Sequence, residues 1–200
     1  MELTEVIKIV LVAVFAYLLG SMPTAVLISK GFKGVDVRTL GDGNMGARNT
    51  YQSLGPGFGV MVAIIDFFKG AIPVLLASLL GLELAWQFLI GALAILGHDF
   101  PVFAGFKGGR GTASTLGTMS VLFPMPTLGG LLVYGVFFIF ARNSRMGCAF
   151  CGAAMAAILA VHQEWLLLTY LIATFLFIPA KMLIDIPRRR AITVAKNSKD

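Results

Sequence analysis

Seven apolar runs, each bounded by charged or turn-forming residues, dominate the sequence: residues 5–28, 57–80, 84–103, 112–124, 127–141, 146–162 and 165–184. Runs of this kind suit one solvent. A helix needs about 20 mostly apolar residues to cross the hydrocarbon layer of a bilayer. Inside that layer every backbone N–H and C=O must be paired within the protein, which a helix achieves and a loop does not. With 58% hydrophobic and 13% charged residues and a mean hydropathy of +0.87, the chain has too little polar surface to enclose a water-soluble core. The expected fold is an all-α integral membrane protein of about seven transmembrane helices. The fourth and fifth runs are short, and Pro124-Met125-Pro126 between them marks either a kinked helix pair or a re-entrant segment.

The net charge of +6 would raise the question of nucleic acid in a soluble domain; here its placement reports orientation instead. Lys30, Lys33, Arg38 and Arg48 lie in 30–56, Lys107 and Arg110 in 104–111, and Arg142 and Arg145 in 142–145. Arg188, Arg189, Arg190, Lys196 and Lys199 lie in the tail 185–200. With seven spans all of these fall on one side, and the opposite loops carry almost no cation. The positive-inside rule then puts the C-terminus in the cytoplasm and the N-terminus, with Glu2 and Glu5, outside. An even span count would break the segregation. The first run continues to about Ile28 without a short apolar region and small-residue cleavage site, so a cleaved signal peptide is not expected. No linker, repeat or low-complexity segment divides the chain, and one polytopic domain over 1–200 is expected.

Two loops carry chemistry. Leu40-Gly41-Asp42-Gly43-Asn44-Met45-Gly46-Ala47-Arg48-Asn49 packs three glycines, two asparagines and an arginine at the membrane surface. Glycine lets backbone N–H groups approach an anion, and Asn and Arg add donors, so the loop reads as a phosphate cradle or as an ordinary turn-rich loop. In the second, running from Gly97-His98-Asp99-Phe100-Pro101 to Gly111-Thr112, Gly108, Gly109 and Gly111 interleave with Lys107 and Arg110. A helix beginning near Thr112 adds its dipole and unpaired N–H groups. The pattern G-x-x-x-x-G-K-[ST] is missing, which argues against a nucleotide-hydrolysing loop. The bland reading is a positive-inside loop with glycines for flexibility. Asp66 and Lys69 fall inside an apolar run at i, i+3, on one helix face where they pair, in a structural more than a catalytic role. His98 either orients a substrate or packs. The C-x-x-C spacing of Cys148 and Cys151 has neither a second cysteine pair nor a nearby histidine, and reads as helix packing. No metal-ligand cluster stands out, and no metal or other cofactor is expected.

These loops resemble a known family, the bacterial membrane glycerol-3-phosphate acyltransferases that use acyl-phosphate as donor (the PlsY family), over roughly residues 10–140. Gly20-Ser21-Met22-Pro23-Thr24 resembles the family's G-S-x-P opening, and Gly41 to Asn49 its G-S-G-N-x-G-A-T-N loop. Asp66-Phe67-Phe68-Lys69-Gly70 resembles D-x-x-K-G; Gly97 to Pro101 and Phe106 to Gly111 resemble G-H-x-F-P and F-K-G-G-K-G. The resemblance implies a seven-helix fold in the bacterial inner (cytoplasmic) membrane, with an outside N-terminus and a cytoplasmic site. The implied reaction moves a fatty acyl group from acyl-phosphate to the 1-hydroxyl of sn-glycerol 3-phosphate, giving lysophosphatidic acid and phosphate for phospholipid synthesis.

The implied partners are those two substrates and the lipid bilayer, with no nucleic acid. Asp42, Asn44, Lys107 and Arg110 take catalytic places. Ser21, Gly43, Gly46, Arg48, Asn49, His98, Gly108, Gly109 and Gly111 take substrate- and phosphate-binding ones. The sequence departs from the pattern in three places. Asp42 replaces a serine, where it acts as a base toward the hydroxyl or pairs with Arg48; Arg48 replaces a threonine; and Gln52 stands where an arginine is usual. The family's C-terminal R-H-x-x-N-x-x-R-L stretch is absent: the tail reads Asp185-Ile186-Pro187-Arg188-Arg189-Arg190-Ala191, with the last helix expected to end at Pro187. The alternative is a non-catalytic relative that binds or transports an anionic lipid or phosphate compound.

Overall fold

The computed structural model describes residues 2–141 and 143–187. Among them are nine α-helices, two 3₁₀ turns and no strand. The helices are α1 (Leu3–Gly20), α2 (Thr24–Lys33), α3 (Ala47–Leu54), α4 (Pro56–Leu79), α5 (Leu84–Asp99), α6 (Thr112–Leu122), α7 (Pro124–Ala141), α8 (Ser144–Val161) and α9 (Trp165–Ile184).

Among the described residues four segments are long and apolar enough to cross a membrane: α1, α4, α9 and the stretch Leu84–Ala104 that contains α5. The apolar parts of α7 and α8 are shorter, and the 11 residues of α6 extend only roughly 16 Å at 1.5 Å per residue. Side chains are distributed inversely to a soluble protein. On α1 the buried stripe is Ile9, Val12, Ala16 and Gly20, at helical spacing. Leu3, Ile7, Val10, Leu11 and Val14 point outward. Large apolar residues outside and small ones between helices are what a hydrocarbon solvent selects, because close backbone approach supplies the attraction that burial supplies in water. Gly20 lies against the Ala94 carbonyl and Gly97 against that of Tyr17, where an added Cβ would stand 2.3 Å from either oxygen. Gly70 and Gly117 do the same between α4 and α6, against the carbonyls of Ser114 and Phe67. Ser114 Oγ donates to the Asp66 carbonyl at 2.9 Å across that interface.

Several expected boundaries change. The run 5–28 is two helices. Pro23 disfavours helical geometry at Met22, so α1 stops at Gly20 and α2 sets off separately, ending where Gly34 turns left-handed (φ +66°). The loop 30–56 contains the short helix α3. The fourth and fifth runs are separate helices joined at Phe123, with Pro124 opening α7, the position where a missing N–H costs least. The last helix ends at Ile184 rather than Pro187, with Asp185 as its C-cap. Arg142, Arg188, Arg189, Arg190, Lys196 and Lys199, which carried part of the orientation argument, lie outside the described residues, as does Ala191.

Cys151 is fully buried with Met119, Met155, Leu159 and Leu171 in the core between α6, α8 and α9, in agreement with a packing role. Both cysteines are free thiols.

Candidate active site

The first loop is organised by Asn49, which is 3% exposed. Its Nδ2 reaches the carbonyls of Val37 (3.1 Å), Leu40 (3.1 Å) and Asn44 (2.9 Å). Its Oδ1 accepts the Asp42 N–H at 3.1 Å. Gly41 (φ +54°) is obligatory here, since a Cβ would stand 2.1 Å from that same oxygen. Two Asx turns follow: Asp42 Oδ1 accepts from Asn44 N (3.2 Å) and Asn44 Oδ1 from Gly46 N (2.8 Å). Before the loop, Arg38 forms a two-pronged pair with Asp36 at 2.9 and 2.7 Å. That guanidinium holds the Asp36 carboxyl well below the usual carboxylate range.

The second loop folds back over the end of α5. Gly108 N–H donates to the Asp99 carbonyl (3.2 Å) and Gly109 N–H to that of His98 (3.1 Å). These are carbonyls that the helix end leaves without partners. A Cβ at Gly108 would stand 2.1 Å from the His98 carbonyl, and one at Gly109 2.0 Å from His98 Nε2. The glycines are therefore required by close approach, and their N–H groups are taken up by α5. Gly43 N–H likewise donates to Leu40 O at 2.9 Å.

A cavity of about 380 Å³ opens between the two loops. Two helix N-termini line it: Gly46, Ala47 and Arg48 opening α3, and Gly111, Thr112 and Ala113 opening α6. Asn44, Asp66, His98 and Arg110 complete its polar wall, while Ala63, Phe67, Leu116, Ile178 and Met182 supply an apolar one, with Tyr134 and Cys148 nearby. Asn44 Nδ2 and Arg110 Nε are buried without a hydrogen-bond partner among the described residues. Buried donors left in this state are expected to meet a ligand or water. A helix N-terminus and such donors together suit a phosphate.

Behind this wall Lys69 Nζ sits 2.8 Å from Asp66 Oδ1, both residues nearly fully buried, and donates to the carbonyl of Met22, which also accepts the Thr24 N–H. His98 Nδ1 is 3.7 Å from the same Asp66 oxygen.

Of the residues expected at the site, Asn44, Gly46, Arg48, His98, Arg110 and Gly111 line the cavity; Asp42, Gly43, Asn49, Lys107, Gly108, Gly109 and Ser21 do not. Asn49, Gly43, Gly108 and Gly109 build the loops, for the reasons above. Asp42 has both carboxylate oxygens engaged, one on Asn44 N and one on Arg110 Nη2, so its geometry is that of a tether between loops rather than of a base facing a hydroxyl. Lys107 is exposed. Ser21 Oγ is buried without a hydrogen-bond partner among the described residues. Sequence reasoning placed Asp66 in a supporting pair and did not find Tyr134, Cys148, Ile178 or Met182. An ionisable residue inside an apolar run was the available signal for Asp66. Cys148 stood out only through its C-x-x-C spacing, which read as helix packing, and Tyr134, Ile178 and Met182 look like any other helix residues.

The family model "Glycerol-3-phosphate acyltransferase" matches residues 10–188, extending the resemblance through α7 to α9. A glycerol-3-phosphate acyltransferase of Geobacter sulfurreducens is 38% identical over 157 residues, 78% of this chain and 80% of that protein. One of Geotalea daltonii is 41% identical over 155 residues, covering 77% and 79%. Glycerol-3-phosphate acyltransferase 5 of Dehalococcoides mccartyi is 40% identical over 143 residues, and the match spans 61% of its length. Among solved structures, PlsY (YgiH), an integral membrane glycerol 3-phosphate acyltransferase, superposes in its glycerol 3-phosphate form with a TM-score of 0.80 at 34% identity, covering 90% of this chain and 91% of that one. Its lysophosphatidic acid form gives 0.78.

Proposed function

The chain belongs to the glycerol-3-phosphate acyltransferase family, and from that premise we propose that it acylates the 1-hydroxyl of sn-glycerol 3-phosphate with acyl-phosphate as donor, for phospholipid synthesis. The observation that carries this reading is the cavity in which two helix N-termini, Arg48, Arg110 and the unpartnered Asn44 Nδ2 meet an apolar wall. That combination suits two phosphates and one hydrocarbon tail.

Both phosphates are held at the α3 and α6 N-termini by Arg48, Arg110 and Asn44, and the tail lies along Phe67, Leu116, Ile178 and Met182. Two bound substrates then share one small volume, which replaces the entropy of a bimolecular encounter. The acceptor oxygen forms its bond to the acyl carbon, the bond from that carbon to the phosphate oxygen breaks, and the departing phosphate carries off the hydroxyl proton. Cations and N–H dipoles stabilise charge on the carbonyl oxygen and on the leaving phosphate. No protein nucleophile is required, and the Asp66–Lys69–His98 cluster braces the wall.

The surrounding assignments are part of the same proposal: a single polytopic domain of about seven spans in the bacterial inner membrane, N-terminus outside, with the loops and cavity facing the cytoplasm. Lys30, Lys33, Arg38, Arg48, Lys107 and Arg110, all on that side, support the orientation. The test is phosphate release by the purified protein in lipid, given palmitoyl-phosphate with and without sn-glycerol 3-phosphate. Acceptor-dependent release with formation of lysophosphatidic acid is expected. Its absence from folded protein overturns the reading in favour of anion binding without turnover.

A further inference from the structure

One buried charge cluster has no part in the chemistry above. Lys181, on α9, is 1% exposed. Its Nζ lies 2.6 Å from Asp185 Oδ1 and 4.8 Å from the centre of the Phe100 ring. Asp99, at the end of α5, is completely buried. Neither of its carboxylate oxygens has a hydrogen-bond partner among the described residues, and the same holds for Asp185 Oδ2. Lys181 thus has its ion pair within α9 and its contact with α5 through the Phe100 ring, beside the buried Asp99. A low-dielectric interior tolerates such buried ionisable groups only while they keep their partners.

Asp99 also touches the second loop. Its carbonyl accepts the Gly108 N–H at 3.2 Å, and a Cβ on Gly111 would stand 3.1 and 3.3 Å from its two carboxylate oxygens. Gly111 (φ +67°) is the turn from which α6 starts, and it stands between Arg110 and Thr112, both in the cavity wall. On α9, Ile178 and Met182 flank Lys181 and line the same cavity.

We propose that Lys181 is a positioning residue: fixed by Asp185 on its own helix and seated over the ring of Phe100, the C-cap of α5, it pins the end of α9 to the end of α5, and so seats the 108–111 turn that aims Arg110 and the α6 N-terminus into the cavity. The inference rests on the acyl-transfer reading.

Lys181→Met leaves Asp185 without its cation, so the decisive variant is Lys181→Met/Asp99→Asn/Asp185→Asn, which removes all three ionisable groups together. For this folded variant we expect KM for glycerol 3-phosphate to rise about tenfold, the size of one charge-assisted hydrogen bond. Lys181→Arg should stay within about threefold of the starting protein, since it keeps the cation. Hydrogen exchange of the amides of 105–116 should quicken in the triple variant. Adding Arg110→Ala should cost it less than the same change costs the starting protein, because coupled residues are not additive. A triple variant with KM within twofold and unchanged exchange overturns the proposal and leaves the cluster as charge compensation alone. Absence of turnover in the starting protein sinks the acyl-transfer reading instead, and the exchange measurement then decides the clamp by itself.

Discussion

Asp42 and Arg110 stand 68 residues apart in the chain and 2.7 Å apart in space, joining the two loops that enclose the cavity. Arg110 thereby turns one nitrogen to Asp42 while its Nε stays unpartnered in the wall. A carboxylate on this arginine competes with any phosphate that approaches it. Asp42→Ser, which installs the residue usual in the family, is expected to retain or raise activity and to lower KM for glycerol 3-phosphate several-fold. Complete loss of turnover would give Asp42 a chemical role that its geometry does not support.

Arg110 lines the cavity whereas Lys107 is exposed outside it. From sequence alone both substitutions to alanine would be expected to abolish or strongly reduce turnover. The structure separates them. Arg110→Ala removes a guanidinium that lines the cavity and that the proposed mechanism sets against the substrate phosphate, and should lower kcat/KM by about a hundredfold or more. Lys107→Ala should lower it by well under tenfold. Equal losses in the two variants would return Lys107 to the site.

Asp66 and Lys69 are buried together, 2.8 Å apart. Removing one partner strands a charge, so Lys69→Met alone should destabilise the fold by about 3–5 kcal/mol. The double change Asp66→Asn/Lys69→Met should recover most of that stability without recovering activity, because Asp66 also faces the cavity and His98. Thermal unfolding in detergent reads the first effect and phosphate release the second. Full activity in the double variant would make the pair purely structural.

Asn49 satisfies the first loop from inside, so Asn49→Ala should cost about 1–3 kcal/mol through stranded backbone groups and lower turnover through misplacement of Asn44. If Asn49→Ala unfolds at the same temperature as the starting protein, the loop is held by something other than these hydrogen bonds.

The Asp36–Arg38 pair predicts a pH signature. The folded-state carboxyl of Asp36 is depressed, so its contribution to stability is complete above the unfolded value of about 4. That contribution is lost only as pH falls through the lower folded value. The stability difference between Asp36→Asn and the starting protein should therefore be flat from about pH 5 to pH 8 and shrink only in stronger acid. A difference that faded between pH 7 and pH 5 would point to another group.

What the sequence determined by itself was everything that depends on local composition. Long apolar runs dictate lipid as solvent and helix as conformation, because the backbone has no other way to satisfy itself there. The glycine-rich loops with their basic residues raised the expectation of phosphate binding, and Pro23 and Pro124 stood where helices break or begin. What only the tertiary structure decided was which donors remain for a ligand. Gly108 and Gly109 looked like an anion cradle, yet their N–H groups cap α5; Asn49 looked like a ligand, yet it is fully engaged inside its own loop. The residues that open α3 and α6 line the cavity instead. Hydrogen-bond capacity is finite and is allotted through space, and a pairing such as Asp42 with Arg110 or Lys181 with the end of α5 depends on helices whose mutual approach no local pattern encodes.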